Sequence, residues 1–255
     1  MILILSGTKD GREIAYILYK KNYPLIVTTT TDYGKYLIKK YEDLEVYSKN
    51  LDYEEMLELI DERNIKLVID ATHPYAEKVS KNINRACKYK GIPCFRFQRK
   101  EIGNLSEFQN IVQRAEDYEE AAKSLANRKG NILLTIGSKT LDIFVKYINV
   151  QRLFARVLPT SDVLKRCEDL GFKPSNIIAM QGPFSKEMNI EIIKKYNIDI
   201  MVTKDSGEIG GTVEKLKAAE ECGISVVVIE RPNIYGELVY DDINQLIKKV
   251  CEVYG

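Results

Sequence analysis

Short apolar runs alternate with helix-like segments along most of the chain, and this alternation restricts the fold more than any other feature. The runs are continuously apolar, which is typical of strands in a parallel sheet that is covered on both faces. In the first part of the chain the predicted strands are Ile2–Leu5, Leu25–Thr28, Leu44–Tyr47, Leu67–Asp70 and Cys94–Phe97. The predicted helices between them are Gly11–Lys21, Tyr33–Lys40, Tyr53–Arg63 and Glu77–Lys90.

A polar stretch, Gln98–Asp117, interrupts this rhythm and contains one possible short strand, Asn110–Val112. The alternation then resumes with predicted strands at Ile132–Ile136, Arg152–Ala155, Ile177–Met180, Ile198–Val202 and Val226–Ile229. The predicted helices here are Tyr118–Asn127, Thr140–Lys146, Asp162–Leu170, Lys186–Tyr196, Val213–Cys222 and Asp242–Val253. The pattern therefore predicts two α/β domains, residues 1–105 and 106–255, each a parallel sheet of about five strands flanked by helices.

The composition narrows the class of partner. Lys and Arg number 38 and Asp and Glu 37, so no overall positive field attracts nucleic acid or an anionic membrane. The chain starts with a strand and a turn, without a signal peptide or a long apolar span, and its five cysteines are dispersed, which predicts a cytoplasmic protein with reduced thiols. His73 is the single histidine, which excludes a multi-histidine zinc site, and no metal site is predicted.

In parallel sheets, ligands bind beyond the carboxyl ends of the strands, and with two domains the expected site is the cleft between them. The first strand leads into Ser6–Glu13, where Gly7 and Gly11 flank a helix start. This loop suits a phosphate, but an ordinary tight turn explains it equally well.

The fourth strand ends in Asp-Ala-Thr-His-Pro-Tyr-Ala, residues 70–76. This segment brings Thr72, His73 and Tyr75 to the edge of the sheet where ligands bind. A lone histidine is more often structural than catalytic, and its position at a strand end makes the two alternatives about equal.

In the second domain, five successive strand ends carry glycines, hydroxyls and isolated cations. Gly137, Ser138 and Lys139 follow one strand, and the loop Thr203–Thr212 follows another, with Thr212 expected to cap the next helix through its hydroxyl. One such loop means little, but the succession predicts a sizeable polyanionic ligand.

Several of these segments resemble, in sequence and in order, those of precorrin-6A reductases, the enzymes that reduce a macrocyclic intermediate in cobalamin biosynthesis. They are Ser6-Gly7-Thr8, the Asp70–Ala76 segment, Leu133–Lys139, Thr203–Ala219 and Arg231-Pro232. The resemblance spans almost the whole chain and is most specific in Asp70–Ala76 and in Thr203–Ala219.

The resemblance implies two Rossmann-like domains and a reduction of one double bond of precorrin-6A, or of its cobalt form, by NADPH or NADH. A hydride passes from the nicotinamide to the macrocycle, and the proton comes from His73 or from solvent. The residues expected to bind the cofactor are Gly7, Thr8, Gly11, Gly137, Ser138, Lys139, Lys204, Ser206, Gly211 and Thr212. Those expected to bind the tetrapyrrole are Lys9, Arg12, Thr72, His73, Tyr75 and Arg231.

Two other functions remain open at this point. One is a tetrapyrrole-processing α/β enzyme that uses no nicotinamide, and the other is a non-catalytic sensor with two domains that bind an anionic metabolite. The choice between NADPH and NADH, the cobalt content of the substrate and the oligomeric state are not encoded in any recognisable pattern.

Overall fold

The computed structural model describes residues 1–29, 32–39, 44–98, 105–205, 211–232 and 238–254. The chain forms two compact units. The first contains Met1–Arg99 and Asn233–Gly255, and the second contains Lys100–Pro232.

The first unit is a six-stranded parallel sheet of order β12-β5-β4-β1-β2-β3. Its strands are β1 (Ile2–Ser6), β2 (Leu25–Thr29), β3 (Glu45–Ser48), β4 (Leu67–Ala71), β5 (Cys94–Phe97) and β12 (Val239–Tyr240). Its helices are α1 (Lys9–Lys20), α2 (Asp32–Lys39), α3 (Tyr53–Glu62), α4 (Glu77–Lys90) and α10 (Ile243–Tyr254).

Both faces of this sheet are buried, as the continuous apolar runs predict. Along β1, Ile2 and Ile4 face one core, which also contains Leu246 of α10. Leu3 and Leu5 face the opposite core, which contains Met56 of α3. The alternation of side chains along a strand thus places every apolar residue of β1 in one core or the other.

The second unit is also a six-stranded parallel sheet, of order β6-β11-β10-β7-β8-β9. Its strands are β6 (Val112–Ala115), β7 (Asn131–Leu134), β8 (Leu153–Val157), β9 (Ile177–Ala179), β10 (Ile198–Lys204) and β11 (Ser225–Ile229). Its helices are α5 (Tyr118–Leu125), α6 (Leu141–Tyr147), α7 (Ser161–Asp169), α8 (Lys186–Lys195) and α9 (Thr212–Glu221).

The predicted α/β class with two parallel sheets is confirmed, but each sheet has six strands, one more than expected. The additional strand of the first sheet is β12, and that of the second sheet is β6, which lies at residues 112–115 where a possible strand was predicted at 110–112. Both strands are at an edge of their sheet, where one side needs no pairing and a long apolar run is not required.

The predicted second domain, residues 106–255, needs a correction at its end. β12 pairs with β5 of the first sheet, in the register Val239 to Arg96. The amphipathic helix α10 buries Leu246, Ile247 and Val250 against the same core. The chain therefore returns to the first unit after Pro232, because the apolar face of α10 completes the cover of that sheet.

Several predicted helix ends are confirmed. Asp52 and Glu55 form a capping box at the start of α3, and Gly91 ends α4 in the left-handed conformation. The expected hydroxyl cap at Thr212 is wrong. The capping residue of α9 is Gly211, at φ +68°, and Thr212 is already the first helical residue.

Candidate functional site

At the carboxyl edge of the first sheet, the loop after β1 is tied to the loop after β4. The Thr8 hydroxyl accepts a hydrogen bond from the Gly11 amide at 3.0 Å and donates one to the Ala71 carbonyl at 3.0 Å. Thr8 therefore caps α1 and joins it to β4. A Cβ atom on Gly7 would lie 3.7 Å from the His73 amide nitrogen, so the two loops are in contact.

Gly11 is a packing residue. It lies inside the first turn of α1 and is buried. A Cβ atom at this position would lie 2.8 Å from Ser6 Oγ and 3.2 Å from Ala71 Cβ. The glycine lets α1 approach β1 and β4 closely, which explains its presence without any ligand.

Beneath these loops lies a buried polar network built on an ion pair between β4 and β5. Arg96 Nη1 is 2.7 Å from Asp70 Oδ1, and the two side chains are 2% and 0% exposed. The Thr72 hydroxyl donates to Asp70 Oδ1 at 2.7 Å and accepts from Arg96 Nη1 at 2.8 Å. Ser80 of α4 also accepts from Arg96, at 3.2 Å. Thr72, which was predicted to bind substrate, thus has its hydroxyl engaged within the protein.

His73 and Tyr75 project from the same segment and are partly exposed. Their rings lie 5.5 Å apart between centroids, and His73 Nδ1 accepts a hydrogen bond from the Tyr75 amide at 3.3 Å. An acceptor at Nδ1 places the proton of the neutral ring on Nε2. The segment therefore holds the imidazole in one tautomer.

The predicted cations of this edge lie on α1. Lys9 is the first residue of the helix and is exposed, and Arg12, one turn further on, is partly buried. Both side chains reach solvent at the start of α1, next to the carboxyl end of β1.

The carboxyl edge of the second sheet contains a pocket of about 320 Å³. The end of β8, the segments that follow β7, β8 and β9, and the start of α9 line the pocket. The lining residues are Thr135, Gly137, Arg156, Val157, Leu158, Met180, Gly182, Pro183, Phe184, Gly211 and Lys215. Two of the predicted cofactor residues, Gly137 and Gly211, are among them. The lining residues include two cations and, within the described ranges, no carboxylate.

Arg156, on β8, is one of the two cations and is 6% exposed. Its Nη1 donates to Asn189 Oδ1 at 2.7 Å, and its guanidinium carbon lies 4.1 Å from the centroid of the Phe184 ring. Burial lowers the pKa of Arg156 to about 10. The amide and the aromatic face hold the guanidinium in a fixed direction.

Lys215, on α9, is the second cation and is 7% exposed. Its ammonium donates to Thr203 Oγ1 at 3.1 Å. Burial, followed by the nearby charges of Arg156 and Lys204, lowers the pKa of Lys215 to about 7. The neutral form of this lysine is therefore far more accessible near neutral pH than that of an ordinary lysine.

Lys204, at the end of β10, adds a third positive charge. Burial and the charge of Lys139 lower the pKa of Lys204 to about 8. The Thr212 hydroxyl donates to the Lys204 carbonyl at 3.2 Å, which ties the start of α9 to the end of β10. The structure thus brings Lys139, Lys204, Gly211 and Thr212 together, as predicted from their strand-end positions.

Ser138 and Lys139 are held by their main chain. Arg166 of α7 donates to the Ser138 carbonyl at 2.9 Å and to the Lys139 carbonyl at 3.2 Å. Gly137 precedes them at φ +84°, a conformation that favours glycine. The Lys139 side chain is exposed.

Two further predicted residues fall elsewhere. Arg231 forms an ion pair with Asp205 at 3.3 Å and donates to the Asp205 carbonyl at 2.9 Å, with its side chain 2% exposed. It fastens the end of β11 to the end of β10. Ser206 lies outside the described residues.

Arg156, Lys215 and Phe184 were not among the predicted site residues. Arg156 could have been found, because a cation inside the apolar run Leu-Phe-Ala-Arg-Val is unusual in a buried strand. Lys215 lies three residues after buried Thr212 and four before buried Ala219, so helical spacing assigns it to the inner face of α9. Phe184 carries no comparable signal in the sequence.

Within the described ranges, no helix is long and apolar enough to cross a membrane. The fold and the pocket define a protein of two α/β units with parallel sheets, one of which has buried cations lining a pocket at the edge of its sheet.

Comparisons with known proteins identify the family. The model of the family described as "Precorrin-6x reductase CbiJ/CobK" matches residues 1–251. A cobalt-precorrin-6A reductase of Methanocaldococcus jannaschii is 40% identical, over 99% of this chain and 98% of the relative. One from Priestia megaterium is 38% identical, over 97% of this chain and 96% of the relative. The chain therefore belongs to the precorrin-6x reductase family, as its sequence resemblance predicts, and is an oxidoreductase.

A solved structure supports the fold. The chain is similar to a structure titled CobK precorrin-6A reductase with a TM-score of 0.79, at 19% identity, covering 99% of this chain and 96% of the other. At this identity the similarity bears on the architecture, and it agrees with two parallel sheets flanked by helices.

Proposed function

We propose that the protein reduces one double bond of the cobalt-precorrin-6A macrocycle with NADPH or NADH, as a step of cobalamin biosynthesis. The names of the relatives at 38% and 40% identity support the choice of substrate. The cobalt-free precorrin-6A is the closest chemical alternative, since more distant relatives at 29% and 26% identity are named precorrin-6A reductases.

The observation that carries the proposal is the cationic pocket of the second unit. Both proposed ligands are anionic, the cofactor at its phosphates and the macrocycle at its carboxylates. Arg156 and Lys215 face a space without a described carboxylate, and Lys204 adds its charge beside them. Burying a cation has an energetic cost, so two buried cations that line one pocket favour an anion-binding role.

The pocket fits one end of a nicotinamide dinucleotide. Its volume of about 320 Å³ is at the lower end of the range for small-molecule sites. Arg156, Lys204 and Lys215 would hold phosphate oxygens, and Gly137 and Gly211 would allow the ligand close to the main chain. When bound, the nicotinamide supplies the hydride. The protein's contribution is to hold the cofactor, orient the macrocycle and exclude water.

His73 is the proposed proton donor: as the imidazolium it can pass a proton to the macrocycle and take up another from solvent. The hydrogen bond that Nδ1 accepts from the Tyr75 amide opens when the ring is protonated. The role of Thr72 is to position this segment through Asp70 and Arg96. Lys9 and Arg12 are proposed contacts for ring carboxylates, and Arg231 supports the end of β10 from within the fold.

The decisive experiment incubates the full chain anaerobically with cobalt-precorrin-6A and either NADPH or NADH deuterated at C4. The expected product gains two hydrogens, one of them deuterium from the cofactor. A product of unchanged mass with both cofactors would refute the proposal. A parallel incubation with precorrin-6A tests the requirement for cobalt.

His73→Ala tests the proton donor. Loss of general-acid catalysis lowers kcat by about 10²- to 10⁴-fold, whereas loss of a purely orienting contact raises KM. Lys78→Ala, at an exposed residue in the first turn of the following helix, is the matched control. Turnover equal to that of the unaltered protein would assign protonation to solvent.

A further inference from the structure

The pocket of the second unit is lined by a buried titratable group, Lys215. Lys215 lies among the pocket-lining residues, is almost fully buried and donates to the Thr203 hydroxyl. Among the described residues, the charges that lower its pKa come from different elements, Arg156 on β8 and Lys204 on β10.

We propose that Lys215 takes up a proton when an oxyanion, a phosphate or a carboxylate, enters this pocket, so that ligand binding is coupled to protonation. The proposal rests on the proposed function, because the oxyanion is part of one of its two ligands. It goes further by assigning a proton-linked binding step to one side chain.

The physical argument concerns the ammonium in its free and bound surroundings. In the free protein, the charged form of Lys215 is opposed by burial and by repulsion from Arg156 and Lys204. An anion between these groups reverses the sign of the local potential and stabilises the ammonium. The group then changes from partly to fully protonated.

The charged groups around Lys215 agree with proton uptake, rather than proton release, when an anion binds. Glu214, on the same helix, acts in the opposite direction from the cations and has the smallest effect of those that act on Lys215. From α8, which packs against α9, Asn189 contributes an uncharged amide bonded to Arg156. Lys139, after β7, adds a positive charge near Lys204. Among the described residues, positive charge therefore predominates around the ammonium.

The two possible sources of the oxyanion differ in molecular class but share the same recognition chemistry. A dinucleotide brings phosphates, and a tetrapyrrole brings carboxylates. NADPH, inorganic phosphate and uroporphyrin, a porphyrin with eight carboxylates, serve as probes that separate the two sources.

The test is isothermal titration calorimetry of the full chain at pH 7.0 in PIPES, HEPES and imidazole buffers, which differ in ionisation enthalpy. The dependence of the binding enthalpy on the buffer gives the number of protons taken up. For the unaltered protein we expect a greater proton uptake per bound ligand than for the variants that lack the titrating lysine, because burial and Arg156 lower the pKa of the free lysine.

Three variants make the assignment specific. Lys215→Met removes the titrating group and is expected to abolish most of the uptake. Lys215→Arg keeps the charge but does not titrate near pH 7, so binding should remain while uptake disappears. Lys217→Met alters an exposed lysine on the same helix and should leave the uptake unchanged.

The outcomes separate this inference from the proposed function. Reduction of the macrocycle with no proton uptake on binding, or with uptake unchanged in Lys215→Met and Lys215→Arg, overturns the inference and leaves the reductase proposal standing. Uptake that depends on Lys215 with uroporphyrin but not with NADPH supports the inference and assigns the pocket to the tetrapyrrole. If NADPH, phosphate and uroporphyrin all fail to bind, the inference is wrong.

Discussion

The carboxyl edges of the two sheets contain the same kinds of residue and use them differently. In the first sheet, the buried cation Arg96 is matched by the buried acid Asp70 at 2.7 Å, and the Thr72 hydroxyl bonds to both. In the second sheet, the buried cations Arg156 and Lys215 face a pocket that has no carboxylate among its described lining residues. Charge at the first edge is thus paired within the fold, whereas charge at the second edge lines a pocket.

The difference teaches how to interpret charges at strand ends. A buried cation with an acid partner next to it on the neighbouring strand, like Arg96, has a structural explanation. A buried cation held by a neutral amide and an aromatic ring, like Arg156, keeps its charge available for an external partner. The pKa of Arg156 is lowered by burial, which shows that this availability has an energetic cost.

The largest expected effect on stability comes from Arg96→Ala. It leaves Asp70 as an uncompensated buried charge and should destabilise the protein by about 3–5 kcal/mol. Urea unfolding followed by far-ultraviolet circular dichroism measures the change. Arg63→Ala, which removes an exposed ion pair with Glu45, should cost no more than about 1 kcal/mol. Equal losses in the two variants would contradict the structural role of the pair.

Arg156→Met tests whether the buried cation of the second edge contributes to ligand binding more than to stability. It should weaken NADPH binding by roughly 100-fold, or about 2–3 kcal/mol, because a desolvated charge contact is lost. The free protein should change in stability by no more than about 1 kcal/mol, since removal of a buried charge offsets the lost bond to Asn189. Fluorescence titration and urea unfolding measure the two quantities. Arg114→Met, at an exposed ion pair, is the control.

The free protein should also become more stable as the pH rises from 7 to 9. Lys215 has a pKa of about 7 in the folded state and an ordinary value of 10.5. The unfolded chain therefore binds more protons in this window, and stability rises with pH by up to about 2–3 kcal/mol. Urea midpoints of the unaltered protein and of Lys215→Met, compared at pH 6, 7, 8 and 9, isolate this contribution. If the urea midpoints of the two proteins changed with pH in the same way, Lys215 would not be the source of the pH dependence.

Gly11→Ala should have the smallest effect of the four changes considered. We expect a destabilisation of about 1–3 kcal/mol, because the new methyl group overpacks against Ser6 and Ala71. Gly7→Ala, whose new methyl group would have only ordinary contacts, should change stability by less than about 0.5 kcal/mol. Thermal unfolding compares the two. A neutral Gly11→Ala would show that the start of α1 can shift and would reopen a ligand-binding explanation for this glycine.

Most of the architecture was predictable because each buried parallel strand appears in the sequence as a short, continuous apolar run. Leu67–Ala71 and Ser225–Ile229 are examples, and both lie close to their predicted positions. β12 was missed because it has only two residues, with Val239 about half exposed, and its partner Arg96 is more than a hundred positions away. No local pattern encodes such a pairing.

The site was predictable to a lesser degree. Strand-end position correctly indicated Gly137, Lys204 and Gly211 as neighbours, since that rule follows from the topology alone. It did not identify Lys215, whose role depends on which face of α9 is turned inward. Nor did it show that Arg231 is engaged by Asp205, because such a pairing is decided by side-chain geometry after folding.

The return of the chain to the first sheet at β12 and α10 has a consequence for synthesis on the ribosome. The second unit, Lys100–Pro232, is contiguous in sequence and is complete as soon as Pro232 has left the exit tunnel. The first unit begins earlier but keeps an open edge at β5 and an uncovered apolar core face until Leu246, Ile247 and Val250 have been added. The domain that starts first is therefore the one that finishes last, and during translation it is the one in need of protection from aggregation.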